Sequence, residues 1–187
     1  TPKAIREALQ RFSTHSYTAD KNIAVQSIQD LGEITNPEQN EKQSIETISA
    51  ANKELVIALG GDNSITYAAA LGVYGEKLST AGLITLDAHH DLRDGNSNGS
   101  PVRRLIEAGL NPKQIVQIGI NDFSNSSDYE QLAHSLGITV ITRTEVASIG
   151  IASACKKALE IAGASLGPIH VDLDVDVCDQ SVVPACP

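Results

Sequence analysis

The sequence predicts an α/β fold built on a mostly parallel sheet with helices on both faces. Three observations predict it. Short, almost wholly apolar runs recur along the chain, as in strands buried on both sides. Helical stretches alternate with them. Polar turn residues separate the two. A length of 187 residues suffices for one domain with its own core.

Residues 3–13 place Ile5, Leu9 and Phe12 at helical spacing. Asn36-Pro37-Glu38 predicts a helix start with Pro at the first helical position. That helix runs to about Asn52 and buries Ile45, Ile48 and Ala51. The apolar run 55–59 ends in Gly60-Gly61 and is expected as a buried strand. Runs 83–86, 115–120, 138–141 and 169–176 repeat the pattern. Helices are expected near 65–74, 100–109, 127–136 and 151–162, with polar loops at 97–99 and 121–127.

Composition excludes several functions. With 14 Lys+Arg against 23 Asp+Glu the net charge is -9, unsuited to nucleic acid or an anionic membrane. No apolar run approaches the roughly 20 residues that span a bilayer, and no secretory signal opens the chain. Three cysteines argue for a reducing, cytoplasmic setting rather than a disulfide scaffold. Aromatic residues at 3% leave no stacking platform for sugars or bases.

In open parallel sheets, ligands bind beyond the carboxyl ends of the strands. Three such ends carry unusual residues. Asp87, His89 and Asp91 alternate and share one face of an extended segment. Two carboxylates and an imidazole suit a divalent cation, against a merely acidic, solvated turn. Asp172, Asp174 and Asp176 also alternate, opposite Val171, Leu173, Val175 and Val177. Like charges on one face repel unless a cation compensates, although a polar strand facing water gives the same pattern. Together the two clusters bring Asp87, Asp91, Asp174 and Asp176 into one crevice, which suits two divalent ions. His90 is expected to point away from that face, and His15, His134 and His170 to be structural. Cys178 and Cys186 read as free, buried thiols.

Gly-Gly-Asp-x-Ser at 60–64, Asp-Ala-His-x-Asp at 87–91 and Asp-x-Asp-x-x-Asp at 174–179 follow successive strands in that order. This resembles the ureohydrolase (arginase–agmatinase–formimidoylglutamase) family. The resemblance implies a three-layer α/β/α fold, two Mn²⁺ ions and hydrolysis of a guanidino or amidino C–N bond. It also implies a homo-trimer or hexamer. By motif position, Asp87 and Asp174 bridge the two metals, Asp91 ligates the first, and His89 and Asp176 ligate the second. Asp179 is then a structural acid. Asn63 stands where the family usually has a His on the first metal, and an amide oxygen is a weaker donor than imidazole. Asn98 stands where arginases carry a proton-shuttling His.

Asp87 to Arg93, followed by the Asn-Gly-Ser-Pro loop at 98–101, resembles the formimidoylglutamase branch, where an Asn at the first-metal position also occurs. Arg93 is then placed to orient a substrate carboxylate, unless it is an ordinary surface Arg. Asn98 and Ser100 are expected to line the substrate pocket. The implied reaction is water attack on the amidino carbon of N-formimidoyl-L-glutamate, giving glutamate and formamide in histidine degradation, with Asp91 passing the proton. Three alternatives stay open. They are an agmatinase- or guanidinobutyrase-type hydrolase releasing urea, a non-catalytic metal-binding protein of the same fold, and a nucleotide-binding module. The last is disfavoured because Gly60-Gly61 lacks Gly-x-Gly-x-x-Gly spacing. The absence of Met, and the close of the chain soon after the third motif, predict that 1–187 is one catalytic domain truncated at one or both ends.

Overall fold

The computed structural model describes residues 2–23, 28–37 and 39–184; Glu38 and Cys186, which figure in the expectations above, lie outside them. The central sheet joins β3 (Gly82–Leu86), β4 (Ile115–Ile120), β5 (Thr139–Thr142) and β6 (Ile169–Leu173) in the order β5-β4-β3-β6, all parallel. Leu86 pairs with both Ile118 and Leu173, so the carboxyl ends of three strands lie level. The ladder continues one step further. The Asp87 amide donates to Ile118 O (3.0 Å) and the Asp174 amide to Leu86 O (2.9 Å). The first acids of two motifs are thereby set side by side.

Alternation along the strands sends side chains to two cores. Leu83 and Ile115 pack with Ala70 and Tyr74 of α3 (Ile65–Tyr74), Leu105 of α4 (Pro101–Ala108) and Ala133 of α5 (Ser127–Leu136). Ile84, Val116 and Ile118 pack on the other face against Ala154, Ala158 and Ala162 of α7 (Ile151–Ala162). Each large side chain buried this way contributes about 1.5–3 kcal/mol. The small residues of α7 recur every fourth position and let it lie close. A Cβ at Gly82 would meet Ala162 O at 2.1 Å. Buried Tyr74 ties the layers together. Its hydroxyl donates to Gly82 O (2.5 Å) and accepts from the His170 amide (2.7 Å).

Helices expected at 65–74, 127–136 and 151–162 form over those residues, and Pro101 opens α4 in the first turn. The amino-terminal helix α1 (Pro2–Leu9) is shorter than expected and leaves Leu9 and Phe12 exposed. The next helix, α2 (Glu41–Ser49), starts after Pro37, at Glu41 rather than at the expected first position. It buries Ile48 against Gly72 of α3, with Ile45 and Ala51 half-buried. Helix α6 (Arg143–Ile149) was not expected. Its signal is the capping box in which Thr142 and Glu145 exchange hydrogen bonds. A small antiparallel pair, β1 (His15–Ser16) with β2 (Lys21–Asn22), also falls outside the parallel pattern.

Two strand expectations are corrected. The run 55–59 forms no ladder among the described residues, and Leu55 and Ile57 are exposed. Apolar character alone does not make a strand; a paired neighbour must satisfy its amides and carbonyls. The last strand ends at Leu173 rather than Asp176. The Asp174 amide makes the last bond to β3, and its carboxylate accepts from the Asp176 amide (3.1 Å), capping a short turn over Val175–Val177. Asp176 therefore reaches the crevice from a turn, not from the strand face. Among the described residues no helix is long and apolar enough to cross a membrane.

Candidate metal centre

The Asp87-Ala88-His89-His90-Asp91 segment leaves β3 at the level edge of the sheet. Asp87 is 1% exposed, and its Oδ1 accepts from the His89 amide (2.6 Å). This short turn folds His89 back over its own carboxylate. His89 Nδ1 then lies 2.9 Å from Asp176 Oδ2 and 3.4 Å from Asp87 Oδ1. The Ala88 amide donates to Asp176 Oδ1 (3.1 Å), so main chain and imidazole both hold the Asp176 turn against β3. Asp87, His89 and Asp176 each offer one ligand atom within 4.8 Å of the others.

Asp91 closes the other side. It adopts φ 54°, a left-handed conformation that turns the chain back toward α4. Its buried carboxylate accepts from the Asn63 Nδ2 group, which also donates to Asp87 Oδ2 (3.3 Å). Asn63 is placed by the start of α3, where its Oδ1 accepts from the Thr66 hydroxyl (2.8 Å). Asp174 is half-buried behind this group, and Asp172 lies on the same side of β6 as Asp174, facing Thr66.

The electrostatics expose a shortage of positive charge. Hydrogen bonds that His89 donates to Asp176 and Asp87 raise its pKa to about 10, so the imidazole is held as a cation. Burial, then the neighbouring Asp87 charge, pushes Asp91 well above the usual carboxylate range. Burial raises Asp172 to about 6 and also raises Asp174. Asp176 is lowered, because the hydrogen bonds from His89 and the Ala88 amide outweigh its burial. Among the described residues no Lys or Arg pairs with any of these five acids. A converging oxygen-rich set with one imidazole fits a divalent ion of the Mn²⁺ kind.

The other expected residues divide. Arg93 is exposed, its alkyl chain lying over Gly99, and among the described residues its guanidinium has no carboxylate partner. Asn98 lines a cleft of about 250 Å³ with Ser64, Ile65 and Asn96, next to Asn63 in sequence. Ser100 is placed differently from the expectation. It is fully buried, its hydroxyl donates to Ser97 O and accepts from the Ser97 amide (both 2.8 Å), and so it braces the loop. His90 points away from the centre as expected, its Nδ1 2.7 Å from buried Gln117 Oε1. Asp179 pairs with Arg143 (3.2 Å) and caps its own turn through the Ser181 amide (2.9 Å). Cys178 is a free thiol but exposed rather than buried, and Cys155 is free and half-buried. The sequence groups Asp172 with Asp174 and Asp176 but leaves it out of the four acids of the crevice, and it does not single out Thr66. Thr66 reads as an ordinary helix residue, and only the packing of α3 on β6 reveals its position.

The family model described as "Arginase family" matches residues 1–187. The chain is 37% identical over 199 aligned residues to the formimidoylglutamase of Halalkalibacterium halodurans, covering all of this chain and 62% of that protein. The crystal structure of formimidoylglutamase from Bacillus subtilis superposes with a TM-score of 0.89 at 31% identity, covering all of this chain and 62% of that one. Trypanosoma cruzi formiminoglutamase, solved with Mn²⁺, shares the fold with a TM-score of 0.82 at 20% identity, over 96% of this chain and 63% of that one. The chain thus spans less than two thirds of the length of the relatives it matches.

Proposed function

We propose that this chain, which belongs to the arginase family, is the core of a manganese-dependent hydrolase that cleaves the amidine C–N bond of N-formimidoyl-L-glutamate. The observation that carries the reading is the convergence of Asp87, His89 and Asp176 within 4.8 Å at the level ends of two parallel strands. The likeness to formimidoylglutamases along the whole chain supports the substrate.

Asp87, Asp91, Asp174, Asp176, His89 and Asn63 are the proposed ligands. A pair of Mn²⁺ ions, when bound, supplies an activated water at neutral pH and polarises the amidine. The protein's own residues do the rest. Asp87, buried and hydrogen-bonded, would hold a carboxylate oxygen fixed at the centre of the ligand set. Asp91 takes the proton of the attacking water and passes it to the leaving nitrogen. Arg93, with an unpaired guanidinium, takes a substrate carboxylate in a bidentate pair. Asn98 lines the adjoining cleft and contacts the substrate's polar backbone. The free thiols suit a reducing cytoplasm, and the family resemblance supports a homo-oligomer.

The test is a substrate panel with the full-length protein and added Mn²⁺. Formimidoylglutamate, agmatine, arginine and guanidinobutyrate are each followed for formamide, urea and ammonia. Formamide with glutamate from the first substrate is the expected result. Urea release from a guanidino compound, with formimidoylglutamate untouched, overturns the substrate assignment.

A further inference from the structure

The Thr66 hydroxyl is 2% exposed with its residue and faces two acceptors, Asn63 Oδ1 at 2.8 Å and the Asp172 carboxyl. It has one hydrogen. That hydrogen goes to Asn63, and Asp172 Oδ2 is left buried with no partner among the described residues. A buried acceptor left unmade destabilises the arrangement that holds it. The arrangement is therefore poised for a rearrangement that satisfies it.

With Asn63 Oδ1 held by Thr66, the amide presents its NH₂ to Asp87 and Asp91. An NH₂ group has no lone pair to offer a metal; only Oδ1 can ligate. A cation between these carboxylates repels the NH₂ group and attracts the oxygen, so the amide must turn over before Asn63 can be a ligand. Once turned, Asn63 Nδ2 faces Thr66 and donates to its hydroxyl oxygen. The Thr66 hydrogen is released and goes to Asp172 Oδ2.

We propose that Thr66 and Asp172 are positioning residues that switch the Asn63 amide between a metal-free state, NH₂ inward, and a metal-bound state, oxygen inward. The inference rests on the metal reading above. Thr66 makes one hydrogen bond in the first state and two in the second. Its hydroxyl therefore favours the loaded form by about one net bond.

Mn²⁺ affinity of the full-length protein, measured by calorimetry and by the free-ion Mn²⁺ electron paramagnetic resonance signal, tests this without reference to turnover. Thr66→Val is expected to weaken the Asn63-side ion roughly five- to tenfold. Thr66→Ser is expected to keep wild-type affinity. In a double-mutant cycle, the effect of Thr66→Val disappears to within about twofold when Asn63→Ala or Asp172→Ala is already present. Should Thr66→Val not fold, Thr66→Ala carries the same expectation. Unchanged affinity in the Thr66 variant, or a loss that persists in the Asn63→Ala background, overturns the switch while leaving the metal centre intact. A wild-type protein that binds no Mn²⁺ overturns the metal reading, and the switch with it.

Discussion

His89 Nδ1 lies 2.9 Å from Asp176 Oδ2, joining the segment after β3 to the turn after β6. Neither residue is near the other in sequence. They meet because Leu86 pairs with Leu173 in a parallel register, so both chains leave the sheet at one level. The site is thus a property of strand alignment, and its behaviour follows from how that alignment is held.

Asp174 has two duties that substitution separates. Its carboxylate caps the 175–177 turn through the Asp176 amide (3.1 Å) and also supplies charge to the centre. Asp174→Asn keeps a capping oxygen, so melting should stay within about 0.5 kcal/mol of wild type. It should still lose metal on dialysis and lower kcat at least about a hundredfold. Asp174→Ala should lose both the cap and the metal. Activity surviving in Asp174→Ala with bound metal unchanged refutes its role as a ligand.

Asn63→His places an imidazole where an amide now stands. Retention of Mn²⁺ after dialysis should rise, because imidazole is the stronger donor. Metal analysis of the two proteins side by side checks it. An unchanged metal content means that residue 63 does not touch the ion.

Metal should stabilise the folded chain, since the ligands converge only in the native sheet. At free Mn²⁺ a hundred times the dissociation constant the gain is about 2.7 kcal/mol. For a domain of this size that raises Tm by roughly 5–10 °C. Asp87→Asn, which neutralises the buried acid, should abolish the Mn²⁺-dependent shift in calorimetry.

His170 gives a pH dependence of its own. It packs edge-on to Tyr74, with ring centroids 6.3 Å apart, and burial lowers its pKa from 6.5 to about 4. Asp172 shares its strand face. At His170 the folded state binds fewer protons than the unfolded state between these values, so the His170 contribution is full above pH 6.5 and falls as pH drops toward 4, opposite in sign to that of Asp172, whose pKa is raised to about 6. His170→Phe should make Tm fall less, relative to wild type, as pH drops through that window. A slope unchanged by the substitution refutes the assignment.

Gly119 sits in β4 at φ 100°, and a Cβ there would meet Val177 Cγ2 at 2.4 Å. Val177 belongs to the turn that carries Asp176. Gly119→Ala therefore strains the backbone and pushes the turn away from His89. Stability should fall by about 1–3 kcal/mol, and Mn²⁺ affinity should fall with it. Affinity at the wild-type level would show that the turn tolerates displacement.

The alternation of apolar runs and amphipathic stretches was enough to determine a parallel α/β sheet, because the burial of each element is written in its own local periodicity. The 83–86 and 115–120 runs became central strands with both faces covered. The acids at the strand ends were legible for the same reason: charge in an otherwise apolar run has to be compensated. Other features depended on partners distant in sequence. Run 55–59 has the composition of a strand, yet strand formation needs a paired edge, and composition does not supply one. Asp176 reaches the centre because Asp174 caps a turn, a choice between extended and turned backbone that alternation cannot make. Ser100 and Asn98 lie two residues apart, one locked inside its loop and the other lining the cleft. Thr66 acquires its place beside Asn63 and Asp172 only when α3 docks on β6. Local pattern sets which surfaces must be buried; the hydrogen-bond partners available after burial set which side chains face the crevice.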